Sequence, residues 1–191
     1  MLTMRLVLVL LSLLAPWPAA ADETAAWAAL REGGRVVLIR HGATSGGAGD
    51  PPGFRLADCA TQRNLTEGGR AQARALGAAF RAREIRVDKV LSSEWCRCRE
   101  TAELMGLGAI ESAPTFNNAF ILRDQRAALT EGARRVIAEW KGPGNLIVSS
   151  HGANILPLTG VHPQEGEAVV VDPASTGETV RVIGRIPAPR S

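Results

Sequence analysis

Apolar positions along this chain fall into two patterns. Short segments rich in apolar residues occur at Val36–Arg40, Val87–Leu91, Leu146–Ser149 and Ala168–Val171, with a further one in Thr179–Ile186, and the first of them is the most continuous. Such runs fit strands buried on both faces of a largely parallel sheet. Between them, apolar residues recur at helical spacing. Thr66 is placed to cap a helix whose inner face carries Ala71, Ala75, Leu76, Ala79 and Phe80. Ser92 or Ser93 is placed to cap a second, over Glu94–Leu104. Asp124–Trp140 turns Leu129, Val136, Ile137 and Trp140 inward, and Gly142-Pro143-Gly144 stops it. Thr24–Arg31 reads as a short helix, and His151–Leu158 as another that Pro157 ends or kinks. Residues 41–64 form a long loop, and residues 106–123 read as irregular. Alternation of strand and helix predicts a three-layer α/β/α sandwich.

The first residues follow neither pattern. A basic start with Arg5, the apolar run Leu6–Ala15 and the small residues Ala19-Ala20-Ala21 have the three parts of a secretory signal. The run is shorter than the ~20 residues that span a bilayer. The expectation is an exported protein, periplasmic or secreted, with residues 1–21 removed and no stable membrane insertion afterwards. Residues 22–191 then form a single domain. The formal charge of +3 becomes +2 on loss of Arg5, and the only lysines are Lys89 and Lys141. No dense basic run is present, so nucleic acid is not an expected partner. A few uncompensated arginines still favour an anionic substrate.

Three cysteines, Cys59, Cys96 and Cys98, change the picture further. In an oxidising compartment one disulfide with one cysteine left over is expected, from Cys59 to either of the other two. That bridge would pin the long loop beside Arg97. Cys-x-Cys without a suitably spaced fourth ligand does not suggest zinc, and no metal is expected.

Candidate chemistry sits where strands end. Ile39-Arg40-His41-Gly42 follows one buried run, Ser150-His151-Gly152 another, and Arg97 follows Lys89–Ser93. Ligands of open α/β sheets bind at the carboxyl ends of strands. Arg40 and Arg97 are forked donors suited to phosphate oxygens. A neutral His41 can attack phosphorus, and His151 can stabilise the charged transition state. Gly42 and Gly152 permit close backbone approach to a ligand. Thr44 and Asn64 are further candidate phosphate contacts. The third histidine, His162, lies in Gly160-Val161-His162-Pro163 and reads as a turn residue.

These blocks resemble the histidine phosphatase superfamily, the phosphoglycerate-mutase-like fold, branch 1. Arg40-His41-Gly42, Leu65-Thr66-Glu67-Gly68-Gly69-Arg70-Ala71-Gln72-Ala73, Ser92-Ser93 with Arg97-Cys98-Arg99-Glu100-Thr101-Ala102, and Ser150-His151-Gly152 occur in the family's order over about residues 35–172. The resemblance implies a mixed sheet with one antiparallel strand and a phosphate pocket of Arg40, His41, Arg97 and His151. It also implies phosphorylation of His41 during turnover and no cofactor. The local context of the mutases' acidic residue is missing, and so are their substrate-gripping insertions, which favours a phosphatase over a mutase. Glu167 is the first candidate for a proton donor, ahead of Asp124 and Glu111. Without a donor, leaving groups of low pKa such as phosphohistidine are preferred.

The function expected is hydrolysis of a phosphomonoester or phosphohistidine, on a small molecule or a protein, through phosphohistidine 41. The rival readings are a catalytically weak phosphate- or phosphoglycan-binding protein and an envelope phosphotransferase.

Overall fold

A computed structural model describes residues 18–47, 49–175 and 179–190. The proposed signal segment lies outside these up to residue 17. The first helix, α1 (Pro18–Glu32), begins before the expected cleavage point and is longer than the apolar spacing suggests. Among the described residues no helix is long and apolar enough to cross a membrane.

Chain order is β1 (Val36–Arg40), α2 (Glu67–Ala82), β2 (Val87–Ser92), α3 (Cys96–Met105), β3 (Ile110–Ser112), α4 (Arg126–Glu139), β4 (Asn145–Ser150), α5 (Gly152–Thr159), β5 (Ala168–Val171) and β6 (Val182–Ile186). The six strands form one mixed sheet in the order β3-β2-β4-β1-β5-β6. β5 alone runs against the others, since both of its pairings are antiparallel. Strand alternation sends Val37, Ile39, Val90, Ile147, Ala168 and Val170 to the face covered by α1, α2 and α3. Val36, Leu38, Leu91, Leu146, Val148 and Val169 meet α4 and α5 on the other face. The three-layer α/β/α sandwich follows directly from these two cores.

Local chemistry explains most boundaries. Thr66 caps α2 by accepting from the Gly69 amide. Gly77 is needed where α2 crosses α3, because a Cβ there would lie 2.0 Å from the Met105 carbonyl oxygen. Pro157 sits inside α5, near its end. Two expectations are corrected. Residues 106–123 are not wholly irregular, because β3 joins the sheet edge beside β2. Ser93 does not cap α3. Its N-cap is Trp95, with no side-chain cap bond, and the Ser93 hydroxyl accepts from the Trp95 amide at 3.3 Å just ahead of the helix while also serving the site.

The parallel register of β1 on β4 is what assembles the site. Arg40 pairs with Ser150. The next residue on each chain is a histidine, so His41 and His151 emerge side by side at the carboxyl edge.

Candidate active site

The two imidazoles lie with ring centroids 5.4 Å apart, in a T-shaped arrangement. Both are buried, His41 at 2% and His151 at 3% exposure. They form part of the floor of a cavity of about 660 Å³ that also reaches Arg40, Arg63, Gly152 and His162. No carboxylate lines this cavity among the described residues.

His41 has a defined tautomer. Its Nδ1 lies 2.9 Å from the Gly42 carbonyl oxygen, which can only accept, so the proton sits on Nδ1. Nε2 keeps its lone pair. Burial, then the positive charge of Arg97, push its pKa down to about 3. The imidazole is therefore neutral and nucleophilic at ordinary pH.

His151 is oriented by a chain of hydrogen bonds. The Glu94 amide and the Ser93 hydroxyl both donate to Asn117 Oδ1, at 2.9 and 3.2 Å. Asn117 Nδ2 donates to Glu94 Oε2 at 2.7 Å, which fixes the amide orientation. Ser93 Oγ, having spent its proton, accepts from His151 Nε2 at 3.0 Å. Trp95, itself buried, packs T-shaped against the ring with centroids 5.6 Å apart. The Cys98 thiol lies 3.4 Å from Nε2. Burial raises the pKa of that thiol to about 12, so it adds no charge. Burial, followed by the repulsion the two rings would feel if both were protonated and by the charge of Arg97, holds His151 well below its ordinary pKa.

Acid sensitivity follows. The unfolded chain takes up protons on these histidines below pH 6.5, whereas the folded protein refuses one at His41 until about pH 3. Stability is therefore flat in this respect above pH 6.5 and falls on acidification between those limits. The slope is about 1.4 kcal/mol per pH unit for His41, and His151 adds in the same direction. Urea unfolding between pH 7.5 and 4.5 measures the slope, and His41→Asn should flatten it.

Arg40 lines the cavity while donating to the Pro163 carbonyl at 3.0 Å and to Glu165 Oε1 at 3.4 Å. Arg97 is fully buried behind the cavity wall. Its Nη1 and Nη2 donate to Asp50 Oδ1 and Oδ2 at 2.7 and 3.2 Å, and its Nε has no partner. Trp95 Nε1 and the Arg63 amide also donate to Asp50. Burial pushes the Asp50 carboxyl upward, but the donors, Arg97 foremost, outweigh it and hold it below its ordinary pKa. Arg97 thus acts on the imidazoles through its field, with its fork engaged by a carboxylate.

The remaining expected site residues divide. Gly152 lines the cavity, where a Cβ would meet Arg40 Cδ at 3.5 Å. Gly42 is not part of the cavity lining. Its backbone abuts α2, and a Cβ would lie 2.5 Å from the Gly69 carbonyl oxygen. Thr44 is turned to Glu165, to which its amide and hydroxyl donate at 3.2 and 2.8 Å. Asn64 donates to the Cys59 carbonyl at 2.6 Å and holds the loop. Glu167 lies outside the cavity, where its carboxylate accepts from Arg185 Nε at 2.5 Å and from the Gln164 amide at 2.7 Å. It ties β6 to the turn before β5. Asp124 and Glu111 are exposed and also lie outside the cavity. Cys59 bonds to Cys96, and Cys98 stays reduced. The bridge closes a loop with a sequence separation of 37, worth roughly 4 kcal/mol on the chain-entropy model.

Four contributors escaped the sequence: Asp50, Arg63, Ser93 in its bond to His151, and His162 as a wall residue. Among the described residues no cluster of His, Cys, Asp or Glu could hold a metal ion.

This is an α/β protein with paired imidazoles in a cationic cavity at the strand ends. Residues 36–118 match the model of the histidine phosphatase superfamily (branch 1). Among solved structures, it is similar to the protein histidine phosphatase SixA complexed with tungstate, at 17% identity and a TM-score of 0.55, covering 81% of this chain and 97% of that one. It is also similar to phosphoglycerate mutase from Thermus thermophilus, at 23% identity and a TM-score of 0.56, covering 80% and 98%. A search of curated proteins gives no match.

Proposed function

We infer that residues 22–191 form an exported phosphatase that hydrolyses phosphomonoesters or phosphohistidine through a phosphohistidine at His41. The carrying observation is a neutral His41 whose Nε2 lone pair is free, beside His151, in a cavity with arginines and no carboxylate among the described residues. Nε2 attacks phosphorus, and the bond from phosphorus to the leaving atom breaks, its electron pair going to the leaving group. Water then attacks phosphorus, the P–N bond breaks, and the pair returns to Nε2 with release of inorganic phosphate. An arriving dianion offsets the positive field on His151. Protonated on both nitrogens, that ring keeps its bond to Ser93 and donates its other N–H to a phosphoryl oxygen.

The leaving group takes its proton from water, since neither Glu167 nor any other described carboxylate reaches the cavity. Low-pKa leaving groups are accordingly favoured. We expect kcat/KM for p-nitrophenyl phosphate to exceed that for an alkyl phosphate by roughly 10²–10⁴, the scale of general-acid catalysis. Equal rates across an aryl and alkyl phosphate series would show that a donor is present. The lack of a donor also favours a second reading, a phosphate-binding protein without turnover. Vanadate would stabilise both, and only the enzyme releases phosphate.

A further inference from the structure

A cavity of about 660 Å³ far exceeds one phosphoryl group and falls in the range of sites for whole organic ligands, roughly 300–1,000 Å³. Burial orders it from inside to outside. The histidines of the floor are 2–3% exposed, whereas Phe120 and Leu156 on its wall are 39% and 42% exposed. These are the large exposed hydrophobic residues of the described chain, and both border this one cavity, beside Pro157. Single exposed apolar residues need no explanation, but a shared rim next to a reactive floor does. Phe120 is also held in place. Its ring lies near Gly49, where a Cβ would meet it at 3.5 Å, and Arg123 lies over it at 5.2 Å from the centroid.

Charge on the same rim is one-sided. Arg126 donates Nε to the Ala119 carbonyl at 3.4 Å and has no carboxylate partner among the described residues. Deeper in, Arg63 gives Nη1 to the Gly47 carbonyl at 2.7 Å, and its buried Nε has no partner. A dianionic phosphate on the floor uses the inner cations. Arg126, beside Phe120 at the mouth, is left for something else.

We propose that this rim is a second recognition subsite for the organic part of the substrate. The substrate class is a phosphoester or phosphoramidate whose leaving group joins an apolar body, seated against Phe120, Leu156 and Pro157, to a second anionic group on Arg126. This rests on the phosphate-site reading above and narrows it.

Binding of non-hydrolysable probes tests it without requiring turnover. Dissociation constants are measured by calorimetry for methylphosphonate, benzylphosphonate and 4-carboxybenzylphosphonate, with vanadate as reference. In the wild type, the benzyl group should tighten binding by about tenfold, through burial of apolar area. The carboxylate should add roughly three- to fivefold, the range for an exposed ion pair. Phe120→Ser with Leu156→Ser should collapse the first ratio, and Arg126→Gln the second. Both changes lie on exposed side chains, and circular dichroism checks the fold. Equal affinity for all three phosphonates, with vanadate bound, overturns the subsite and leaves the phosphate site standing. Preferences that survive the substitutions overturn its assignment to these residues. Failure of the folded wild type to bind vanadate or any phosphonate overturns the phosphate site, and the subsite with it.

Discussion

His41→Ala is expected to lower phosphate release by roughly 10³–10⁶-fold, the scale seen when a covalent nucleophile is removed. The effect is specific to this ring. Nδ1 is committed to the Gly42 carbonyl, the charge state is fixed as neutral, and Nε2 is left with no protein partner. The variant should also carry no acid-labile phosphate after brief exposure to substrate, whereas the wild type should. Folding should persist, because the lost bond goes to a neighbouring carbonyl and the vacated space adjoins the cavity. His151→Ala should cost less, roughly 10²–10³-fold, because it removes transition-state stabilisation and spares the nucleophile. Rapid-quench labelling with a radioactive phosphoester reads both variants. Comparable labelling of wild type and His41→Ala would remove His41 from the chemistry.

Legibility of this fold followed burial. The runs at residues 36–40 and 146–149 are apolar because both faces of the central strands are covered, and that made strand type and position readable. With a parallel register, the two His-Gly steps could only come out together. β3 was invisible because a three-residue edge strand has one covered flank and a single apolar residue, Ile110. Glu165 and Glu167 lie two residues apart in one turn, and no periodicity there says which approaches Arg40. The positive φ of Gly166 sets that geometry. Cys96 and Cys98 could not be told apart by composition. On a helix they point about 200° apart, so one reaches the loop at Cys59 while the other faces His151. Asp50 was hidden for a different reason: it stands in a loop without regular patterning, and its partner Arg97 lies 47 residues away.

That hidden residue carries the largest expected effect on stability. Asp50 and Arg97 form a pair whose side chains are both inaccessible to solvent. Removing one partner of such a pair leaves a buried charge with no compensation and costs about 3–5 kcal/mol. Asp50→Ala should therefore unfold at markedly lower urea concentration than the wild type, with the slope of the transition unchanged. The penalty has a signature that separates it from simple loss of packing. The guanidinium freed by the substitution still carries its charge beside the imidazoles, where it lowers the pKa of His41. A phosphate or vanadate ion entering the cavity supplies the missing negative charge. Inorganic phosphate should thus raise the melting temperature of Asp50→Ala by more than that of the wild type, since binding stabilises in proportion to the logarithm of ligand concentration over Kd. Asp50→Asn, which keeps the shape and loses the charge, should behave like the alanine variant in this assay. An Asp50→Ala protein as stable as the wild type, with the same phosphate shift, would show that Arg97 does not depend on this carboxylate.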